Sequence, residues 1–243
     1  EDVARTMQNY ELYLMPVVNE KSQMLGVITL DDAADVLDEA TDEDYGQFAM
    51  VKGEHDEKET FFKAALHRLP WLVILLFLGI IISLLMSRFE STIDRVAVLI
   101  VFQPLILGMA GNTGTQSLAV TVRGLSKAYF EDKQFKRKHI VKELKIGLLN
   151  GLFIGIIALL TTYLFLSIVT PSMTVGTPLS IALTVGASAF IAMMFAATFG
   201  AFLPLLLHQL SIDPAVASGP FMTTLNDIIG LLIYFSLAIL III

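Results

Sequence analysis

The sequence predicts an all-α polytopic membrane protein of five transmembrane helices with a small α/β unit at its N-terminus. Three observations predict this fold. Hydrophobic residues make up 55% of the 243 residues and charged residues only 16%, with a mean hydropathy of +0.72. Apolar runs near the ~20 residues that cross a bilayer core recur along the chain after Pro70. The acids are segregated: 12 of the 23 lie between Asp31 and Glu59, ahead of those runs.

Residues 1–40 form the first part. "EDVARTMQNY" is compatible with a helix and lacks a basic region followed by an apolar run, so no signal peptide is expected. "LYLMPVVN" and "MLGVITL" are β-type runs parted by the polar turn "EKSQ". "LDDAADVLDEA" then carries Ala33, Val36, Leu37 and Ala40 at helical spacing, with Asp31 or Asp32 as N-cap. The order is helix, strand, strand, helix, followed by an acidic connector over residues 41–69. A unit this small buries only a marginal core.

Residues 70–243 supply the spans. They run from Trp71 to Met86 behind Pro70, Val96 to Leu118, Ile146 to Val169, Leu179 to Leu207, and Ala215 to Ile243. The loop between the second and third holds Arg123, Lys127, Lys133, Lys136, Arg137, Lys138 and Lys142, whereas that between the first and second holds only Arg88 and Arg95. The positive-inside rule places the Lys-rich loop and the N-terminus in the cytoplasm and the C-terminus outside, in a multi-pass plasma or inner membrane protein. Gly147, Gly151 and Gly155, and Ala192, Ala196 and Gly200, recur every four residues and predict close helix packing.

Two spans break the apolar pattern. In the fifth, Asp213 before Pro214 reads as an N-cap with proline at the first helical position. Pro220 lies inside the span as drawn and would free the carbonyl of Val216. Gly219, Thr223, Asp227, Gly230 and Tyr234 recur at steps of three or four, forming a polar, small-residue stripe. Asp227 falls ~18 Å from Ala215 at ~1.5 Å per residue, near the bilayer midplane. A charged Asp there costs roughly 2.5–3.5 kcal/mol, and no Lys or Arg lies inside the five spans to offset it. It is therefore protonated, hydrogen-bonded to a neighbouring helix, or facing a hydrated cation path. In the second span, Pro104 predicts a kink. Gly108, Gly111 and Gly114 predict a bare face, and Asn112, Thr113, Thr115 and Gln116 crowd polar groups into five positions. That composition suits a helix lining a wet path, or one bonded across to other helices.

The donors available are carboxylate, amide, hydroxyl and backbone carbonyl. With no cysteine, and only His208 at a span end, the set favours Mg2+ or Ca2+ over zinc or copper. Two copies of Asp227 at a symmetric axis would repel unless a dication sat between them, and a wide, hydrated site of few carboxylates suits Mg2+. The acidic N-terminal region argues against nucleic acid as a partner. No nucleophile–base pair or metal cluster on a soluble fold is evident, so an enzyme is not expected.

These motifs together resemble the MgtE family of magnesium channels: "RFE" after the first span, "P…GNTGTQS" in the second, and "DPA…GP…TLNDIIGLLIYF" in the fifth. The stretch "YLMPVVNEKSQMLGVITLDDAADVLDEATDED" resembles the end of a cystathionine-β-synthase (CBS) regulatory domain and the start of a linker helix. The resemblance implies a partial CBS domain over residues 1–40, an acidic linker helix over 41–69 and a five-helix pore domain over 70–243. It implies a homodimer whose pore, at the dimer axis, is lined by the second and fifth helices, with Gly108, Gly111, Asn112, Thr115, Gln116 and Pro220 as lining residues. Asp227 of both subunits, with Thr223 and Gly219 on the same stripe, would bind hydrated Mg2+. Glu43, Asp44 and Asp213 would share cytosolic Mg2+ ions that hold the pore closed. The sequence departs from the family at Gly219, where some members carry Asn, and the CBS segment lacks its beginning, so a nucleotide is expected there only in a complete domain. The leading expectation is a Mg2+-selective channel. The alternatives are a proton- or ion-coupled divalent cation transporter with Asp227 as the titrating group, and a sensor or scaffold without transport.

Overall fold

The computed structural model describes residues 1–48, 60–126, 133–169, 176–210, 212, 214 and 219–243. They divide into two compact units, Glu1–Arg68 and Leu69–Ile243.

The first unit has the expected order: α1 (Asp2–Asn9), β1 (Leu14–Val18), β2 (Met24–Thr29) and α2 (Leu30–Phe48). The strands pair antiparallel, with Leu14 opposite Thr29 and an irregularity between Val17 and Val18. Their turn is built by Asn19, whose Oδ1 accepts from the backbone N–H groups of Lys21 at 3.0 Å and Gln23 at 2.9 Å. Pro16 is tolerated in β1 because each strand of a two-stranded sheet is an edge. Ala4, Met7 and Ala33 are the buried core, with Met15, Ile28 and Leu37 against them.

The start of α2 differs from the sequence expectation. Thr29, not Asp31 or Asp32, caps the helix, and Asp32 reaches back to it. Asp32 Oδ2 accepts from the Thr29 N–H at 3.1 Å and hydroxyl at 2.6 Å, while the Asp32 N–H faces Thr29 Oγ1 at 3.3 Å. This is the reciprocal capping box, with the acid three residues into the helix rather than at its cap. The Thr29 side chain and N–H hold the Asp32 carboxyl below its ordinary value.

The second unit contains most of α3 (Phe61–Arg88), then α4 (Glu90–Arg95), α5 (Leu99–Ser126), α6 (Lys133–Val169), α7 (Pro178–Gln209) and α8 (Gly219–Ile242). Among the described residues, four helices are long and apolar enough to cross a membrane: α3, α6, α7 and α8. The second expected span, α5, has 28 residues but falls outside that group, because Gln103, Asn112, Thr113, Thr115 and Gln116 interrupt its apolar side chains. Helix boundaries also move. Pro70 lies inside α3 instead of opening it, and α6 extends 13 residues ahead of Ile146 through the basic sequence. Thr177 starts α7 with a capping box to Ser180, and Pro178 follows at the first turn.

The core is centred on α7, which packs against α5, α6 and α8. Its seam with α6 is the small-residue stripe. A Cβ added at Gly151 would meet the Phe190 carbonyl at 2.8 Å, and one at Gly155 the Gly186 carbonyl at 2.8 Å. Another face of α7 carries buried Ala192, Ala196 and Gly200, and Gly200 abuts the Gly114 carbonyl of α5. Ser117 Oγ on α5 donates to the Ala197 carbonyl at 2.6 Å. No residue of α3 is buried.

Candidate functional site

The polar residues singled out in the second and fifth expected spans meet along the seam of α5 and α8. Near one end, Tyr234 is buried and its hydroxyl donates to the Leu99 carbonyl at 2.8 Å. Further along, a Cβ on Gly230 would meet Leu107 Cδ2 at 3.0 Å, and one on Gly111 would meet Thr223 Cγ2 at 3.0 Å. Next, Asn226 rests its amide on Gly114, so that a Cβ there would require the amide to swing aside. Residues late in α8 thus meet residues early in α5, and the helices run antiparallel.

The five-residue stripe on α8 therefore divides. Gly219, Gly230 and Tyr234 are buried, and the last two pack on α5. Thr223 and Asp227 are partly buried, and Pro220 is exposed. The described part of the helix begins at Gly219, with Pro220 as its second residue; Val216, whose carbonyl the proline was expected to free, lies outside the described residues. Asp227 lies ~12 Å along the axis from Gly219 at ~1.5 Å per residue.

On α5 the three glycines also part company. Gly111 and Gly114 receive side chains from α8, whereas a Cβ on Gly108 would have nothing within 4 Å. Gly108, Asn112 and Gln116 are exposed, and Thr115 is partly buried. At ~100° per residue, Gly108, Asn112 and Thr115 lie on one flank of Gly111, and Pro220, Thr224 and Asp227 lie on the matching flank of Thr223. Because the helices are antiparallel, the two flanks turn to the same side. The arrangement is a polar, open strip along one edge of the α5–α8 seam.

Most hydroxyls in this strip bond back to their own helices. Thr115 donates to the Asn112 carbonyl at 3.0 Å, Thr223 to Gly219 at 3.0 Å and Thr224 to Pro220 at 2.9 Å. Asp227 makes no hydrogen bond or ion pair with the described residues. Its carboxylate is free to accept from water or to ligate a cation. Among the described residues, no group of three or more His, Asp or Glu converges on a common metal position, and Asp227 is the carboxylate that the described part of the strip contains. Glu43 and Asp44 fall within α2, but their side chains, like Asp213, lie outside the described residues.

Sequence reasoning passed over Asn226. It is 2% exposed, and neither its Nδ2 nor its Oδ1 has a partner among the described residues. An orphaned buried polar group costs about 1–3 kcal/mol. The only available signal was its place beside Asp227, one helical step off the exposed flank.

A family model described as a divalent cation transporter matches residues 103–237, the stretch containing most of α5 and most of α8. Three curated proteins, each named magnesium transporter MgtE, are similar over 98% of this chain: 39% identical in Bacillus subtilis strain 168, 40% in Enterococcus faecalis and 35% in Thermus thermophilus. The matches cover 50%, 50% and 51% of those proteins, so the chain spans about half the length of the curated relatives it matches.

Proposed function

This chain belongs to the MgtE family of divalent cation transporters, and from that premise we propose that it carries hydrated Mg2+ through a pore between two copies of itself. Each protomer contributes the α5–α8 strip. α5, the second span in chain order, joins the four more apolar helices: too polar to face lipid, it crosses with its open flank against the partner's. Asp227 of each copy faces the shared axis, and the two carboxylates hold one hydrated dication between them. The observation that carries this reading is Asp227 itself, partly buried and unpaired beside the exposed Asn112 flank. An ionised, unpartnered acid at membrane depth is stable where water or a cation reaches it.

Thr223 Oγ1, the Gly219 carbonyl and the amides of Asn112 and Gln116 are hard oxygen donors suited to the waters of hydrated Mg2+. Gly108 leaves width for the hydration shell. Gly111 and Pro220 set the backbone edges of the path. The resemblance extends the proposal to gating: Glu43, Asp44 and Asp213 bind cytosolic Mg2+ and hold the pore shut. Like charges crowded in the linker repel until a dication screens them, so falling Mg2+ releases the closure. The relatives' name, magnesium transporter, supports Mg2+ as the cargo. The Lys-rich loop supports a cytoplasmic N-terminus.

The test is Mg2+ entry into vesicles carrying the reconstituted chain. Entry follows the Mg2+ gradient without a counter-ion and drops to the protein-free level in Asp227→Ala. Strict dependence on a proton or sodium gradient would instead favour a coupled transporter in which Asp227 titrates. Unchanged entry in Asp227→Ala would remove both readings. Neutralising Glu43, Asp44 and Asp213 together leaves entry insensitive to Mg2+ on the cytosolic side if the gating part is right.

A further inference from the structure

We propose that the cationic face of α6 is a binding site for the phosphate headgroup of an anionic membrane lipid. Gln134, Arg137, Lys138, Val141, Lys142 and Lys145 line a concavity of about 450 Å³. Steps of three and four residues place all six on one face of a single helix. Four of them are cations, and no acid is among the described lining residues.

The same face continues past Lys145 as Leu148, Leu149, Leu152, Ile156 and Tyr163, all exposed in the protomer. Along one exposed stripe, then, the side chains change from cationic to apolar within a single turn. The 37 residues of α6 reach ~55 Å at ~1.5 Å per residue, well beyond the ~30 Å of bilayer hydrocarbon. From Lys145 to Val169 the helix covers ~36 Å, already enough to cross it. Its first three turns therefore stand at headgroup level, directly above the lipid-facing aliphatic side chains. A lipid has the same build, phosphate immediately above acyl chain. Free phosphate or a nucleotide matches only the upper half of the stripe, which is why a lipid is the occupant. Arg137 offers a fork of donors to two phosphate oxygens, and the three lysines add point charges that reorient as the headgroup moves.

The experiment is native mass spectrometry of the full chain in detergent, mixed with phosphatidylglycerol or phosphatidylcholine. Phosphatidylglycerol stays bound to the wild type and phosphatidylcholine does not. The variant R137Q/K138Q/K142Q/K145Q loses the adduct, by about fivefold for each cation removed. The charge-keeping variant R137K/K138R/K142R/K145R retains it. Should the fourfold glutamine variant fail to fold by circular dichroism, single K142Q and K145Q variants each show the fivefold loss. Undiminished phosphatidylglycerol on the glutamine variants, or equal retention of phosphatidylcholine, would overturn the proposal. So would complete displacement of the lipid by an equal concentration of inorganic phosphate, which would mark the face as a site for free phosphate.

Discussion

Two helix seams in the membrane unit use small residues in opposite ways. Between α6 and α7, glycines face backbone: Gly151 and Gly155 lie against the carbonyls of Phe190 and Gly186, and the close approach is the whole purpose. Between α5 and α8, glycines face polar side chains: Gly111 receives Thr223 and Gly114 receives Asn226. Beside that second seam lie an unpaired acid and an exposed amide, with an orphaned amide buried in it. The difference teaches that glycine periodicity alone does not separate structure from function. Buried polar groups without a partner among the described residues do not separate the two, since Thr162 on α6 and Ser188 on α7 join Asn226 in that state. What separates them is the edge of the second seam, where the partly buried Asp227 stands unpaired among the described residues beside the exposed Asn112.

That contrast fails most visibly if Asp227 matters to the fold rather than to transport. Asp227→Ala abolishes Mg2+ entry into vesicles and leaves thermal unfolding within about 0.5 kcal/mol of wild type, as expected for a side chain with no protein partner. A large drop in unfolding temperature would place the acid in a structural role.

The opposite pattern holds at Gly151. Gly151→Val drives a branched side chain into the Phe190 carbonyl, which is backbone and cannot swing aside. Overpacking costs about 1–3 kcal/mol, read as a lower unfolding temperature with the ion preference of the remaining folded protein unchanged.

Asn226→Leu sharpens the comparison by its sign. Replacing an orphaned amide with an apolar group of similar shape removes a desolvation penalty of about 1–3 kcal/mol. The variant unfolds at a higher temperature and carries Mg2+ more slowly. A lower unfolding temperature would mean that the amide is satisfied by water and belongs to the packed part of the seam.

Gly108→Ala is the gentler companion to the valine substitution. With nothing within 4 Å of the added methyl, stability holds or rises by up to about 1 kcal/mol from helix propensity, while Mg2+ entry slows because the open flank narrows.

The smallest effect lies outside the membrane unit. Thr29 holds Asp32 below its ordinary 3.8. A depressed carboxyl stabilises the folded form above pH 3.8, and the contribution fades as pH falls through the lowered folded value. Circular dichroism of Thr29→Ala, which removes the hydroxyl donor, shows less helix than wild type above that pH and converges with it below.

The sequence carried much of this. The helix–strand–strand–helix order followed from turn residues and periodicity, and the close α6–α7 seam from glycines four apart. The unpaired acid was legible because no Lys or Arg lies inside the spans. Other features depend on partners distant in sequence. Tyr234 reads as part of a polar stripe until Leu99, 135 residues away, is seen to accept its hydroxyl. Asn226 looks like a neighbour of Asp227 until Gly114 is seen beneath it.

The central claim is that Asp227 from two copies shares one water-filled axis. The chain has no cysteine, so Asp227→Cys introduces a single thiol at that position. Reacting it in membranes with a short bifunctional thiol reagent yields covalent dimers, and Mg2+ slows the reaction. Leu164→Cys, on an exposed apolar face of α6, yields monomers under the same treatment. Monomers from Asp227→Cys, or dimers formed equally from both variants, would contradict the account.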